Sequence, residues 1–229
     1  MSKNKEFYAW FEKLTPKLGQ REVSFRKIFN YLDNMLDPIV IVETGCLRDK
    51  NNFSDGQSTL LFDKYTLSRG NGSKVYTVDI NPKATKVCKD TVSDNVEIVT
   101  DSSIKYLTYL SKNFLKTKTK VSMFYLDSFD VDWRYPHPAA AHHLKELTSI
   151  IRNIDDKTIV VVDDSPANGN LTQAGDELNP TWKIISSPSP PPTVGGKGTL
   201  IHEYAMLSGA RLIFSHYQTA WNNFNKEDK

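Results

Sequence analysis

The chain has 229 residues, 39% of them hydrophobic, with 29 basic and 27 acidic side chains for a net charge of +2. That length and apolar content can bury one sizeable core, so a single domain is expected. So small a net charge, with no Lys/Arg block, disfavours nucleic acid as a partner.

Cys46 and Cys88 stand far apart in sequence and in no metal-like spacing, which argues against a disulfide framework or a structural zinc site. A reducing, cytoplasmic setting fits best. The opening residues lack the pattern of a secretory leader, and no apolar run approaches the roughly 20 residues that span a bilayer. A soluble protein without a membrane partner is therefore expected.

Residues 5–36 carry Phe7, Phe11, Leu14 and Leu18, then Phe25, Ile28, Phe29, Leu32 and Leu36, at helical spacing broken around Pro16 and Gly19. Two amphipathic helices follow from that period, and residues 1–38 read as a helical cover over one end of a sheet. After Pro38, the β-branched run 39–42 reads as a strand buried on both faces and closed by Glu43, Thr44 and Gly45. A helix begins at Ser58, with Ser54 or Asp55 as its cap. Strand 74–80 ends in Asp79, and Pro82 opens a helix where its missing N–H costs nothing.

Strand 96–100 runs into Asp101, Ser102 and Ser103, followed by a helix with Ile104, Leu107 and Leu110 on one side. Strand 121–126 ends in Asp127. Pro138 then starts a helix whose Leu144, Leu147, Ile150, Ile151 and Ile154 form an apolar stripe. Strand 158–162 ends in Asp163 and Asp164. Beyond Pro166, residues 182–187 form a short strand, and the proline-rich 188–192 is extended as a loop or lid. Residues 195–198 are glycine-rich around Lys197, 199–207 are helical, 211–221 form a last strand, and 222–229 are a polar tail.

The alternation of strand and helix over 39–221 predicts an α/β domain with a doubly wound, mostly parallel sheet of about seven strands and helices on both faces. Five strands end in or beside a carboxylate: Glu43, Asp79, Asp101, Asp127 and Asp163. Open parallel sheets bind ligands at that edge, so five acids there point to a polar site. The first loop offers Glu43-Thr44-Gly45-Cys46, one glycine preceded by an acid, where a dinucleotide loop needs Gly-x-Gly-x-x-Gly. A carboxylate there repels phosphate and suits ammonium or sulfonium.

The order E-T-G-C with a helix-opening S-T, then V-Y-T-V-D-I-N-P, T-D-S, F-Y-L-D and V-V-V-D-D resembles the class I S-adenosylmethionine-dependent methyltransferases. Within them it is most similar to the metal-assisted O-methyltransferases of catechols and macrolide sugars. The resemblance covers roughly residues 39–166. It implies a Rossmann-like sheet with an antiparallel last strand, S-adenosylmethionine as cofactor, and a hydroxylated small molecule as acceptor. It also implies a floor under the methionine part at Glu43 and Gly45 with the helix start at Ser58, a ribose acceptor at Asp79, Asp101 and Ser102 flanking the adenine, and Asp127 facing the methyl donor. Asp127, Asp163 and Asp164 match the places that hold a divalent ion, Mg²⁺ or Mn²⁺, in the metal-assisted members.

The sequence departs from the family in its long 47–57 loop and in Asp130, which stands where the catechol enzymes place a lysine base. Proton handling then falls to Asp127, Asp130 or His137, with His142 and His143 behind them. His143 shares a helical face with Leu147 and Ile150 and reads as a packed residue, while His142 reads as solvated or at the rim. Lys197 between glycines reads equally as an exposed loop lysine or as reaching an anionic acceptor or the cofactor carboxylate. A noncatalytic module that binds the adenosyl cofactor and a metal-assisted hydrolase are the alternatives, and a homo-oligomeric assembly stays open.

Overall fold

The β-branched run after Pro38 becomes β1 (Val40–Thr44), buried along its whole length. In the computed structural model the chain is described over residues 4–53, 57–166, 171–174, 181–184 and 194–224. Four more strands run parallel to β1: β2 (Lys74–Asp79), β3 (Val96–Thr100), β4 (Met123–Leu126) and β5 (Ile159–Val162). The segment expected to be one last strand is a hairpin, β8 (Arg211–Ser215) and β9 (Thr219–Asn222), with β9 antiparallel to both β5 and β8. The seven-stranded order is β3-β2-β1-β4-β5-β9-β8. It reverses direction between β1 and β4, the switch point where such sheets bind ligands.

The short strand expected at 182–187 is β7 (Thr181–Ile184), and it pairs with β6 (Leu171–Ala174) in a separate two-stranded sheet. Seven strands are therefore present in the main sheet, but the seventh comes from splitting 211–221. The proline-rich 188–192 and the cap positions Ser54 and Asp55 lie outside the described residues.

Side chains alternate across the sheet with period two. Ile41, Met123, Tyr125, Ile159 and Val161 face one core cluster, and Val42, Phe124, Leu126, Val160 and Val162 face the other. The first cluster is covered by α1 (Lys5–Leu14), α2 (Arg21–Asp33) and α3 (Ser58–Arg69), whose Phe7, Phe11, Phe25, Phe29, Phe62 and Tyr65 interlock as rings. The N-terminal helices thus pack on a face of the sheet rather than over its end. α5 (Ser103–Thr117), α6 (His137–Ile150) and α7 (Thr199–Ser208) cover the second face, and α4 (Pro82–Lys89) joins β2 to β3.

Cys46 and Cys88, distant in sequence, share one small buried cluster with Leu47 and Ala84. At the carboxyl end the chain stays buried through Asn222 and Phe224, into the expected tail. Among the described residues no helix is long and apolar enough to cross a membrane.

Candidate functional site

At the carboxyl edge, Gly45 after β1, Asp79 ending β2 and Asp127 after β4 line one cleft with Gln57, Ser58 and Ser128. Gly45 has φ +78°, and its N–H donates to the Val78 carbonyl at 2.8 Å. A Cβ at Gly45 would lie 2.5 Å from the Asp127 carbonyl oxygen, so a side chain fits neither the backbone angle nor the space. Gly45→Ala is expected to cost roughly 1–3 kcal/mol in urea unfolding and to abolish ligand binding in the cleft, because β1 and β4 must then part.

Glu43, in β1, is fully buried. Its Oε2 accepts from the hydroxyls of Thr59 and Thr77, each at 2.7 Å, and Thr59 Oγ1 in turn accepts the Leu47 N–H at 2.9 Å. Burial pushes the Glu43 carboxyl up to about 7, against the opposing pull of neighbouring hydroxyls. Among the described residues Glu43 Oε1 and Gln57 Oε1 are buried acceptors with no hydrogen-bond donor. Gln57 holds φ +56° as the residue before α3, and its side-chain amide donates to the carbonyls of Asp49 (2.7 Å) and Asn52 (2.9 Å). Gln57 lines the cleft and Glu43 lies behind it with the Ser58 hydroxyl also close to its carboxyl, so a ligand that brings donors is favoured there.

Asp79 is half-buried. Its Oδ2 accepts the Cys46 N–H at 3.2 Å and its Oδ1 the Asn81 N–H at 2.8 Å, which fixes the carboxylate and leaves lone pairs for hydroxyls. Next to it Ile80 is 76% exposed, an apolar surface at the rim.

One residue past the strand ends, the same alternation carries Asp127 and Asp163 to the face covered by α2. Oxygens of Asp127, Asp163 and Asp164 lie within 4.8 Å of one another. The charges they meet belong to the chain. Arg21 of α2 donates through Nε to both oxygens of Asp163 (3.1 and 3.0 Å) and through Nη2 to Asp164 (2.9 Å), and its guanidinium lies 4.6 Å from the Tyr217 ring centre. Lys197, 1% exposed, bonds Asp127 and reaches Asp164 at 3.0 Å. The reading of Lys197 as an exposed loop lysine is therefore corrected. Burial and the neighbouring acids push Asp127 well above the usual carboxylate range despite the Lys197 ammonium. Burial works on Asp164 too, but Lys197, Arg21 and the Tyr217 hydroxyl pull it down to about 2.

On the opposite face, Thr44 and Ser128 meet α6. Thr44 Oγ1 accepts the Asp127 N–H at 3.2 Å and donates to Glu146 Oε2 at 3.1 Å, and Ser128 donates to Glu146 Oε1 at 2.6 Å. His142 Nε2 lies 3.4 Å from Glu146 and 3.1 Å from Ser103 Oγ. His142 is thus partly exposed near the site and held there by Glu146 and Ser103, a position at the rim rather than in free solvent. Burial would raise the Glu146 pKa, but hydrogen bonds from His142, Ser103 and Ser128 outweigh it and hold it below the ordinary value. His143 is wholly buried, donates from Nδ1 to the Ala139 carbonyl at 2.7 Å, and is pushed down to about 4 by burial, so it packs as a neutral ring.

No family model matches this chain, and no curated protein matches it. One solved structure, described as a "putative rRNA-methylase" from Clostridium thermocellum, is similar to it with TM-score 0.39 and 15% identity over 62% of this chain and 72% of that one. The sheet order and the single antiparallel strand within it are those of the Rossmann-like arrangement expected from the sequence.

Several expected site residues lie off the cleft lining. Asp130 is exposed and pairs with Arg48 at 3.0 Å, a surface bridge worth at most about 1 kcal/mol. His137 is the exposed first residue of α6. Asp101 pairs with Lys105 at 2.8 Å and Ser102 precedes α5 as its N-cap, both just past the end of β3, the strand beside Asp79. Arg21 and Glu146 were not legible as site residues, although a glutamate on the apolar stripe of His143, Leu147 and Ile150 is a signal.

Proposed function

We propose that this chain is an S-adenosylmethionine-dependent methyltransferase acting on a hydroxyl of a small molecule. The observation that carries it is the meeting of Gly45, Asp79 and Asp127 in one cleft at the β1/β4 switch point, beside two buried acceptors without donors. S-adenosylmethionine, when bound, supplies the electrophilic methyl group. Gly45 admits close approach to the backbone, and Glu43 Oε1 and Gln57 Oε1 accept from an ammonium. The α3 N-terminus favours a carboxylate. Asp79 accepts from ribose hydroxyls, and Ile80 offers an apolar face to a base.

Asp127 and Ser128 stand at the acceptor side. Lys197 holds Asp127 Oδ1, which orients the carboxylate at the cleft for proton handling. Ser128 connects the cleft to Glu146 and His142, which orient it and lead toward solvent. Asp49, Asp79 and Asp127 outnumber Arg48 along the cleft, which favours a neutral or cationic acceptor over a polyanion.

Calorimetric titration with S-adenosylhomocysteine tests the reading. Saturable binding is expected, weakened at least about tenfold by Asp79→Ala, the loss of one charged hydrogen-bond acceptor. No binding at millimolar ligand would refute it. Binding without transfer of labelled methyl to any hydroxyl in a metabolite extract would favour the noncatalytic module.

A further inference from the structure

We infer that Lys197 and Arg21 are the resident cations of the Asp127, Asp163 and Asp164 cluster, and that this cluster takes no divalent ion. The three carboxylates are spaced as ligands for an octahedral ion would be. Yet both oxygens of Asp163 accept from Arg21. Asp164 Oδ1 takes Arg21 and the Tyr217 hydroxyl (2.8 Å), and Asp164 Oδ2 takes Lys197. Lys197 also holds Asp127.

Neither cation is free to swing aside. Arg21 leaves α2 beneath Tyr217. Lys197 is delivered by a turn whose own backbone is bonded to the end of β5: its N–H donates to the Asp164 carbonyl (3.1 Å), and the Gly195 N–H donates to the Pro166 carbonyl (3.1 Å). Gly196 has φ +58°, and a Cβ there would run into the Asp164 carbonyl oxygen; one on Gly198 would lie 2.6 Å from Ser165 Oγ. The glycines on either side of Lys197 are what let the lysine backbone approach so closely.

An entering divalent ion would have to expel a buried ammonium from its partners or sit against it, and removing one partner of a buried pair is strongly unfavourable. The inference stands on this cluster alone and does not rest on the methyl-transfer reading. It leaves the cleft independent of metal supply, with Lys197 holding the Asp127 carboxylate at its edge.

Titration of the full chain with Mn²⁺, followed by the electron paramagnetic resonance signal of the free ion, tests it. The wild type is expected to show no saturable binding up to about 1 mM, the weak end of oxygen-ligand sites. Lys197→Met, which strips the ammonium from two carboxylates, is expected to bind one Mn²⁺ at least about tenfold more tightly than that limit and to gain thermal stability in its presence. Lys197→Arg keeps a cation in place and is expected to bind none. One Mn²⁺ per wild-type chain, lost in Asp163→Asn, would overturn the inference; this arm decides the matter even if Lys197→Met fails to fold.

Discussion

Arg21→Met is expected to lower the free energy of unfolding by about 3–5 kcal/mol, the cost of leaving a buried carboxylate without its partner. Asp163 is fully buried, and the hydrogen bonds to both of its oxygens come from Arg21, whose side chain is 13% exposed. Methionine preserves much of the stem's packing but supplies no donor, so Asp163 must take up a proton or pull in water. Arg26 provides the comparison on the same helix. It pairs with Glu12 and Glu22 at the surface, with 36% of its side chain exposed, and Arg26→Met is expected to cost under about 1 kcal/mol. Urea unfolding of the two variants side by side checks this. Equal costs would mean that the Arg21 contacts add nothing beyond a surface bridge.

Glu43→Gln is expected to flatten the pH dependence of stability and to weaken ligand binding at the same time. The folded protein holds the Glu43 proton more tightly than the unfolded chain, with a pKa of about 7 against 4.5. A carboxyl raised in this way favours folding most at low pH. Its contribution is lost as pH climbs from about 4.5 through 7, by roughly 3 kcal/mol in all. Glutamine presents a neutral oxygen to Thr59 and Thr77 at every pH, so the variant should match the wild type near pH 4.5 and exceed its stability at pH 8. Binding runs the other way. A cationic ligand stabilises ionised Glu43, so wild-type affinity for S-adenosylhomocysteine is expected to rise between pH 6 and 7.5, by up to about tenfold per unit, with release of a proton. Calorimetry in buffers of different ionisation enthalpy measures that proton. An unchanged pH slope in Glu43→Gln would contradict the assignment.

The strands were legible because each is a short apolar run, and the edge acids were legible because a carboxylate stops each run. From those two features the five parallel strands and the acids along their carboxyl edge follow, whereas their spatial order, with the switch between β1 and β4, comes from the structure. What stayed hidden depends on contacts between distant parts of the chain. Arg21 lies 142 residues from Asp163 and reads as the polar side of an amphipathic helix. Nothing local separates it from Arg26, which is solvated. For Lys197 an exposed loop position and a reach toward acceptor or cofactor stood level, and neither reading named Asp127 and Asp164, the acids that hold it. Here the glycines serve close approach: Gly196 and Gly198 have no room for a Cβ. The 211–221 segment shows the limit of apolar continuity. The turn between β8 and β9, residues 216–218, carries neither glycine nor proline, so only the antiparallel pairing from Arg211 with Asn222 to Ser215 with Thr219 reveals a hairpin.

The central claim is that acids gathered at one sheet edge receive a positively charged adenosyl donor. A crystal structure of the full chain soaked in S-adenosylhomocysteine tests it most directly. The account predicts ribose hydroxyls on Asp79 and an amino nitrogen facing Glu43 and Gln57. A cleft without ligand at saturating concentration, or ligand bound away from Gly45 and Asp79, would contradict it.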